Sequence, residues 1–289
     1  MEKNEVFISL IVATLGRTRE VDLLLSSLSG LEDEGFEVIV VDQNEHHELE
    51  AVMDRYRDRL ALRYFRVSFR SVSRARNYGA DHARGSWVGF PDDDCLYGGH
   101  SLPELRRTIA EGQWDIIAGG IVDFDNKLMS RTYRKSARVG WHNIVGRVSE
   151  PCFFMKKEVF SGLGGFDPSF GPGGCNFAGE GMELGLKAVV AGKKMFFNAA
   201  LQIYHPSKDG DLSAIDFSTK YKYAYGNGAS LVAHKPVLAY YQLSRFLLLL
   251  VPKMLWRPKW NKTRVLLYSL LGYYDAVILK KVRQEIISR

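Results

Sequence analysis

The chain has 289 residues, 46% of them hydrophobic and 25% charged, with a formal net charge of +6. This is room for one large α/β domain or a domain with an appendage, at a composition ordinary for a globular protein that buries a core. The three cysteines, Cys95, Cys152 and Cys175, are odd in number, scattered and in no CxxC arrangement. They point to a reducing compartment and exclude a disulfide framework or a Cys-based zinc site.

The first apolar run, residues 6–13, reads as a strand covered on both faces and stops at the turn-prone Thr14-Leu-Gly-Arg17. The run is too short for a signal core or a membrane span, and charged residues precede it. Val21, Leu24, Leu25 and Leu28 follow at helical spacing, and residues 36–41 form a second buried strand ending at Asp42. A helix is predicted over 48–60, a short strand over 62–67, a helix over 73–84, and a strand over 86–90 running into Asp92-Asp93-Asp94. Residues 102–111 look helical and 114–120 look like another strand, while 123–150 carries no clear period. Residues 162–174 form a Gly-rich loop, 181–191 a helix, and 194–204 contains a strand reaching His205-Pro206. Beyond about residue 209 the pattern is helical only. Strand–helix alternation implies a mainly parallel sheet with right-handed crossovers, and such sheets bind ligands beyond their carboxyl strand ends. Thr14, Asp42 and Asp92–Asp94 all fall there.

Three adjacent carboxylates repel one another, and a loop that clusters them is commonly compensated by a hard divalent cation bridging to substrate phosphates. A bare acidic triplet is more often a solvated turn, but its place at the end of an apolar strand favours the metal. Asp42 is a candidate for nucleotide contact or a simple turn residue; Arg74 and Arg76 could meet phosphates or pair with the aspartates.

Taken in order, Ile11-Val-Ala-Thr14-Leu-Gly-Arg17, Val40-Val-Asp42, Ser73-Arg-Ala-Arg-Asn77-Tyr-Gly79, Gly85–Asp94, Gly164-Gly-Phe-Asp167, Gly171–Gly174, Gly179-Glu180-Gly-Met-Glu183 and Tyr204-His205-Pro206 resemble glycosyltransferase family 2 over roughly residues 6–208. Further on, Tyr221-Lys-Tyr-Ala-Tyr-Gly226-Asn-Gly-Ala-Ser-Leu resembles segments that follow the catalytic domain in the family's bacterial polysaccharide-assembly relatives, where the acceptor is often a polyprenyl-linked sugar. The resemblance implies a GT-A fold, an inverting mechanism, a UDP-sugar donor, Mn²⁺ or Mg²⁺, and hexosyl or N-acetylhexosaminyl transfer to a glycan or polyprenyl-linked acceptor. It implies that Thr14, Arg17, Asp42 and Arg76 meet the nucleotide, that Asp92 and Asp93 meet ribose and diphosphate, and that Asp94 and His205 hold the metal. The family commonly places Glu-Asp before the helix at 181, the Asp serving as base. Here the pair is Glu180-Gly181, so Glu180 is the first candidate base and Glu183 the second, although Glu183 could equally anchor the helix N-terminus. A catalytically weak sugar-nucleotide or glycan binder is the alternative. Trp141 and His142 could stack on or bond an acceptor sugar, and the bulk-free Gly171–Gly174 loop could admit one.

The division expected is a catalytic domain over 1–208 and a helical extension over 209–289. From Lys235 onward there are 11 Lys/Arg against 2 Asp/Glu, a net +9, which leaves −3 for the rest. Trp256, Arg257, Lys259, Trp260, Lys262 and Arg264 interleave aromatic and basic residues, as suits a helix in an anionic headgroup layer. The expectation is a cytoplasmic protein, peripheral on the inner face of a bacterial membrane, with no nucleic-acid partner.

Overall fold

The computed structural model describes residues 8–32, 35–130, 134–206, 217–245, 247–248 and 260–279. Its centre is one eight-stranded sheet in the order β3-β2-β1-β4-β7-β5-β8-β6. β1 (Ile8–Thr14), β2 (Phe36–Asp42), β3 (Leu62–Arg66) and β4 (Trp87–Gly89) run parallel to one another. β1 and β2 are buried nearly end to end, which is why their sequences read as continuous apolar runs rather than alternations. Their polar exceptions satisfy each other: Ser9 donates to Glu37 Oε1 at 2.7 Å, and the same oxygen accepts from the Arg84 backbone N–H.

The far half of the sheet differs from a simple parallel wrap. β5 (Ile116–Val122) pairs parallel with β8 (Met195–Tyr204), but β7 (Phe153–Lys156) lies antiparallel between β4 and β5, and β6 (Ala137–Val139) antiparallel on β8. β6 and β7 fall in or next to the stretch that showed no period. Each is three or four residues long, too short to establish one.

Helices cover both faces. α1 (Arg19–Ser29) buries the predicted Val21, Leu24, Leu25 and Leu28. α2 (Glu50–Tyr56) is shorter than the expected 48–60. It closes in turns from Arg59 and Leu60 onto the Tyr56 carbonyl, because the Ala61 carbonyl must accept from Val38 N–H at the sheet. α3 (Val72–His82) lies directly on β1 and β2; a Cβ on Gly79 would sit 2.4 Å from Ile11 Cγ2, so only glycine permits this approach. α4 (Ser101–Ala110), α5 (Lys157–Gly162) and α6 (Glu180–Val190) complete the helical layers.

The helical extension is α7 (Phe217–His234), α8 (Pro236–Arg245) and α9 (Trp260–Tyr274), the last followed by a π-helical turn at Asp275–Leu279. α7 is docked on α6 backbone to backbone. A Cβ on Gly226 would stand 2.2 Å from the Ala178 carbonyl, and Ser230 Oγ donates to the carbonyls of Gly226 and Gly179. The join therefore lies beside the N-terminus of α6.

Candidate active site

The register of the sheet delivers the first contacts. Leu10 pairs with Gly89, so Thr14 and Asp93, each four residues further on, emerge side by side. Thr14 Oγ1 donates to Asp93 Oδ2 at 2.7 Å, and Arg17 Nη1 lies 2.6 Å from both Asp93 Oδ1 and Asp94 Oδ2. Asp93 is thus buried and faces protein on both oxygens. Burial pushes its carboxyl up, against the pull of Arg17 and Thr14.

On the other side of the triplet, α3 supplies Arg76, 3% exposed, whose Nη2 lies 2.6 Å from Asp92 Oδ1 and whose Nη1 lies 3.0 Å from Glu180 Oε1. The neighbouring residues of that motif hold α3 in place. Ser73 Oγ donates to the Phe170 carbonyl, while the Asn77 amide donates to the Phe166 carbonyl and accepts from its N–H. Asp92 is pushed up to about 6, by burial first, with Arg76 pulling it down and Glu150 adding to the rise.

His205 arrives from the end of β8, where Tyr204 and Leu96 exchange two backbone hydrogen bonds. Its Nε2 lies 3.1 Å from Asp94 Oδ1 and 3.8 Å from Asp92 Oδ2. Asp92, Asp94 and His205 can each direct one ligand atom to a common point, all within 4.8 Å of one another. Asp94 Oδ1 is buried without a hydrogen-bond partner, and so is Arg76 Nε. A buried carboxylate oxygen that meets an imidazole nitrogen at 3.1 Å without hydrogen-bond alignment, beside a second carboxylate, is a donor set a divalent cation completes, so the residues present fit a metal. Burial draws the Asp94 carboxyl up, but His205 and Arg17 outweigh it and hold it below the usual range.

Asp42 stands apart. It is fully buried, with Oδ2 accepting from Tyr64 Oη and Oδ1 accepting from both the backbone and the amide of Asn44. Two adjoining clefts of about 360 and 400 Å³ open above it; they share Asn44, Glu45 and Arg70, and neither is lined by the acidic triplet.

The two candidate bases sit in different surroundings. Glu180, 7% exposed, is tied to Arg76 and pushed up to about 7, first by burial and then by the charge of Glu150, against the pull of Arg76. Glu183, 3% exposed, points to the extension instead: its Oε1 lies 2.8 Å from His234 Nε2 on α7, and its Oε2 lies 3.6 Å from Lys187. The Gly171–Gly174 loop is closed by the chain itself, since Cβ atoms there would meet Glu180, the Arg70 carbonyl and the Ser169 carbonyl. Trp141 is exposed, edge-on to His142 and 5.9 Å from Lys235 Nζ, so it is no core residue.

Sequence reasoning missed Glu150, which lies in the stretch without period. Its Oε1 accepts from the Gly181 N–H at 2.8 Å, and its charge acts on Asp92, Arg76, Glu180 and Tyr223. The available signal was the bare glycine at 181 beside a buried acid.

Residues 9–166 match the model of the family described as glycosyl transferase family 2, more than half of the chain. No curated protein sequence matches the chain. Among solved structures, residues 1–349 of S. aureus TarS in complex with UDP-GlcNAc align at a TM-score of 0.66 and 19% identity, over 95% of this chain and 82% of that one. The mannosyltransferase PcManGT from Pyrobaculum calidifontis, in complex with GDP-Man and Mn²⁺, aligns at 0.61 and 14% identity, over 94% and 87%. At these identities the likeness establishes the GT-A fold.

The charges around His205 set a pH dependence. Burial lowers the affinity of His205 for a proton, but Asp94 and Asp92 outweigh it and hold the imidazole above its ordinary range. A raised histidine stabilises the folded state fully below about pH 6.5, and that contribution is lost as pH rises through the folded value. A metal takes the neutral ring, so Mn²⁺ affinity should rise with pH over the same window. NMR titration of the His205 ring is expected to give a midpoint above 6.5 that falls in Asp94→Asn; an unchanged midpoint would contradict the coupling.

Proposed function

The chain belongs to glycosyltransferase family 2, and on that premise we propose that it is an inverting enzyme that moves a hexosyl or N-acetylhexosaminyl group from a UDP-sugar to a glycan acceptor. The observation that carries the reading is the convergence of Asp92, Asp94 and His205 on one point at the carboxyl end of the sheet, with Asp94 Oδ1 buried 3.1 Å from the His205 ring. The mixed oxygen–nitrogen set favours Mn²⁺ over Mg²⁺, which prefers oxygen ligands alone. When bound, the metal supplies charge neutralisation for the departing diphosphate.

The chain's own groups do the rest. Arg17 and Thr14 fix Asp93 and Asp94, so the ligand oxygens are held before any donor arrives. Arg76 holds Asp92 and keeps a positive charge beside the seat of the diphosphate. The clefts around Asn44 and Arg70 suit the nucleoside, with Asp42 acting beneath them by fixing Asn44. Inversion then needs one base on the opposite face of the sugar.

We further propose that the enzyme works on the inner face of a membrane, on a polyprenyl-linked acceptor. Val237, Tyr241 and Leu248 are 82%, 56% and 72% exposed on the extension, in the part of the sequence that carries +9. No helix among the described residues is long and apolar enough to cross a membrane. Trp256, Arg257 and Lys259, and the side chains of Trp260, Lys262 and Arg264, lie outside the described residues.

Two measurements test these readings. Calorimetric titration of UDP should show Mn²⁺-dependent binding that weakens by at least about 100-fold in Asp94→Asn, since a metal bridge contributes several kcal/mol; binding indifferent to both would contradict the donor site. Cosedimentation with phosphatidylglycerol vesicles should weaken by about tenfold in Val237→Asp/Leu248→Asp, and wild-type protein that stays in the supernatant would contradict the membrane reading.

A further inference from the structure

Four carboxylates near the site centre are already engaged by cations. Arg17 holds Asp93 and Asp94, and Arg76 holds Asp92 and Glu180. Each of the four positions a guanidinium, so taking a proton there would loosen the pair that holds the site together and, at Arg76, leave a buried cation undercompensated. Glu150 is different. It is partly exposed and, among the described residues, makes no ion pair. Its Oε1 is fixed by the Gly181 N–H, leaving Oε2 for another partner.

Its backbone is equally fixed. Glu150 opens a 3₁₀ turn with Pro151 at its second position, and the turn feeds straight into β7 in the middle of the sheet. The Pro151 carbonyl accepts from Tyr97 Oη, and Cys152 N–H donates to the Ser149 carbonyl. The carboxylate then fills the space a side chain at 181 would need. A Cβ on Gly181 would lie 2.5 Å from Glu150 Oε1 and 2.7 Å from its Cδ. The glycine and the glutamate are a matched pair: α6 presents no side chain at its second residue, and a carboxylate from a different segment stands in that volume, next to Glu180.

Resting on the glycosyl-transfer reading above, we propose that Glu150 is the catalytic base and that Glu180 is a positioning residue that orients Arg76. In the step, the acceptor O–H bond breaks and its proton passes to Glu150 Oε2. The freed oxygen pair forms the bond to the anomeric carbon, and the bond from that carbon to the diphosphate oxygen breaks with its electrons leaving on the nucleoside diphosphate. Water can take the acceptor's place in the same step, releasing free sugar.

The competing role for Glu150 is that of a helix cap alone, and Glu150→Gln separates the two. Its amide oxygen still accepts from the Gly181 N–H, so a cap survives, but the amide takes no proton. With Mn²⁺ and a panel of UDP-GlcNAc, UDP-glucose, UDP-galactose and GDP-mannose, nucleoside diphosphate release is the readout, and binding of the free nucleotide is followed in parallel. The expected result is a kcat loss of at least about 1,000-fold in Glu150→Gln with nucleotide affinity retained, and a smaller kcat loss in Glu180→Gln. Glu150→Ala/Gly181→Asp returns a carboxylate to the same volume and should regain at least about tenfold over Glu150→Ala. A readout independent of turnover is thermal unfolding: Gly181→Asp alone should lower Tm, and adding Glu150→Ala should restore most of the loss. Glu150→Gln within about threefold of wild type, or Glu180→Gln as the more damaging of the two, would overturn the assignment. Wild-type protein that releases no diphosphate from any donor would instead remove the glycosyl-transfer reading beneath it.

Discussion

The buried guanidinium of Arg76 is the constraint on which the site depends. Charge is costly to bury, and Arg76 is 3% exposed, so it is stable there only because Asp92 and Glu180 take its two terminal nitrogens. The three belong to different parts of the fold: α3, the loop after β4, and the first residue of α6. One cation therefore fixes the distance between the acidic triplet and the helix that faces it. Removing one partner of a buried pair of this kind costs about 3–5 kcal/mol, so the geometry of the centre and the stability of the fold are one property. Phe166, whose ring centroid lies 5.6 Å from the guanidinium carbon, covers the open face of the cation.

Around that fixed point the molecule divides its labour. The triplet side is preorganised: the strand register sets Thr14 against Asp93, and Arg17 bridges Asp93 and Asp94. The α6 side is assembled from further away, with Glu150 delivered by the turn into β7 and α7 docked on the helix start through Gly179 and Gly226. Glu183, buried between His234 and Lys187, ties that docking to the catalytic domain. The extension is thus joined to the rest of the protein within one helical turn of Glu180.

The acidic rim of the sheet was legible because each part rides on a strong local signal. Apolar runs marked β1, β2 and β4, and their ends marked Thr14, Asp42 and Asp92–Asp94. His205 was indicated by the family resemblance alone; read by itself, a histidine before a proline at a strand end carries no such signal. What sequence order could not convey was pairing. Whether an aspartate faces a metal, a nucleotide or an arginine is settled by side chains from distant segments, and Asp42 turned out to be enclosed by Tyr64 and Asn44. The acceptor half was hidden for a further reason. β6 and β7 are too short to show a period, so Glu150 lay in a stretch with no readable element, and its significance depends on the absence of a side chain at Gly181, 31 residues away.

The proposed function turns on Asp92, Asp94 and His205 forming a metal seat at which a nucleoside diphosphate is held. A crystal of the protein grown with UDP and Mn²⁺, with anomalous diffraction recorded at the manganese edge, tests it directly. The expected result is one anomalous peak within coordinating distance of Asp94 Oδ1, the buried oxygen that faces the His205 ring, with Asp92 or His205 beside it and the diphosphate bound to the same ion. A diphosphate bound with no peak there, or a peak whose ligands exclude Asp94, would contradict it.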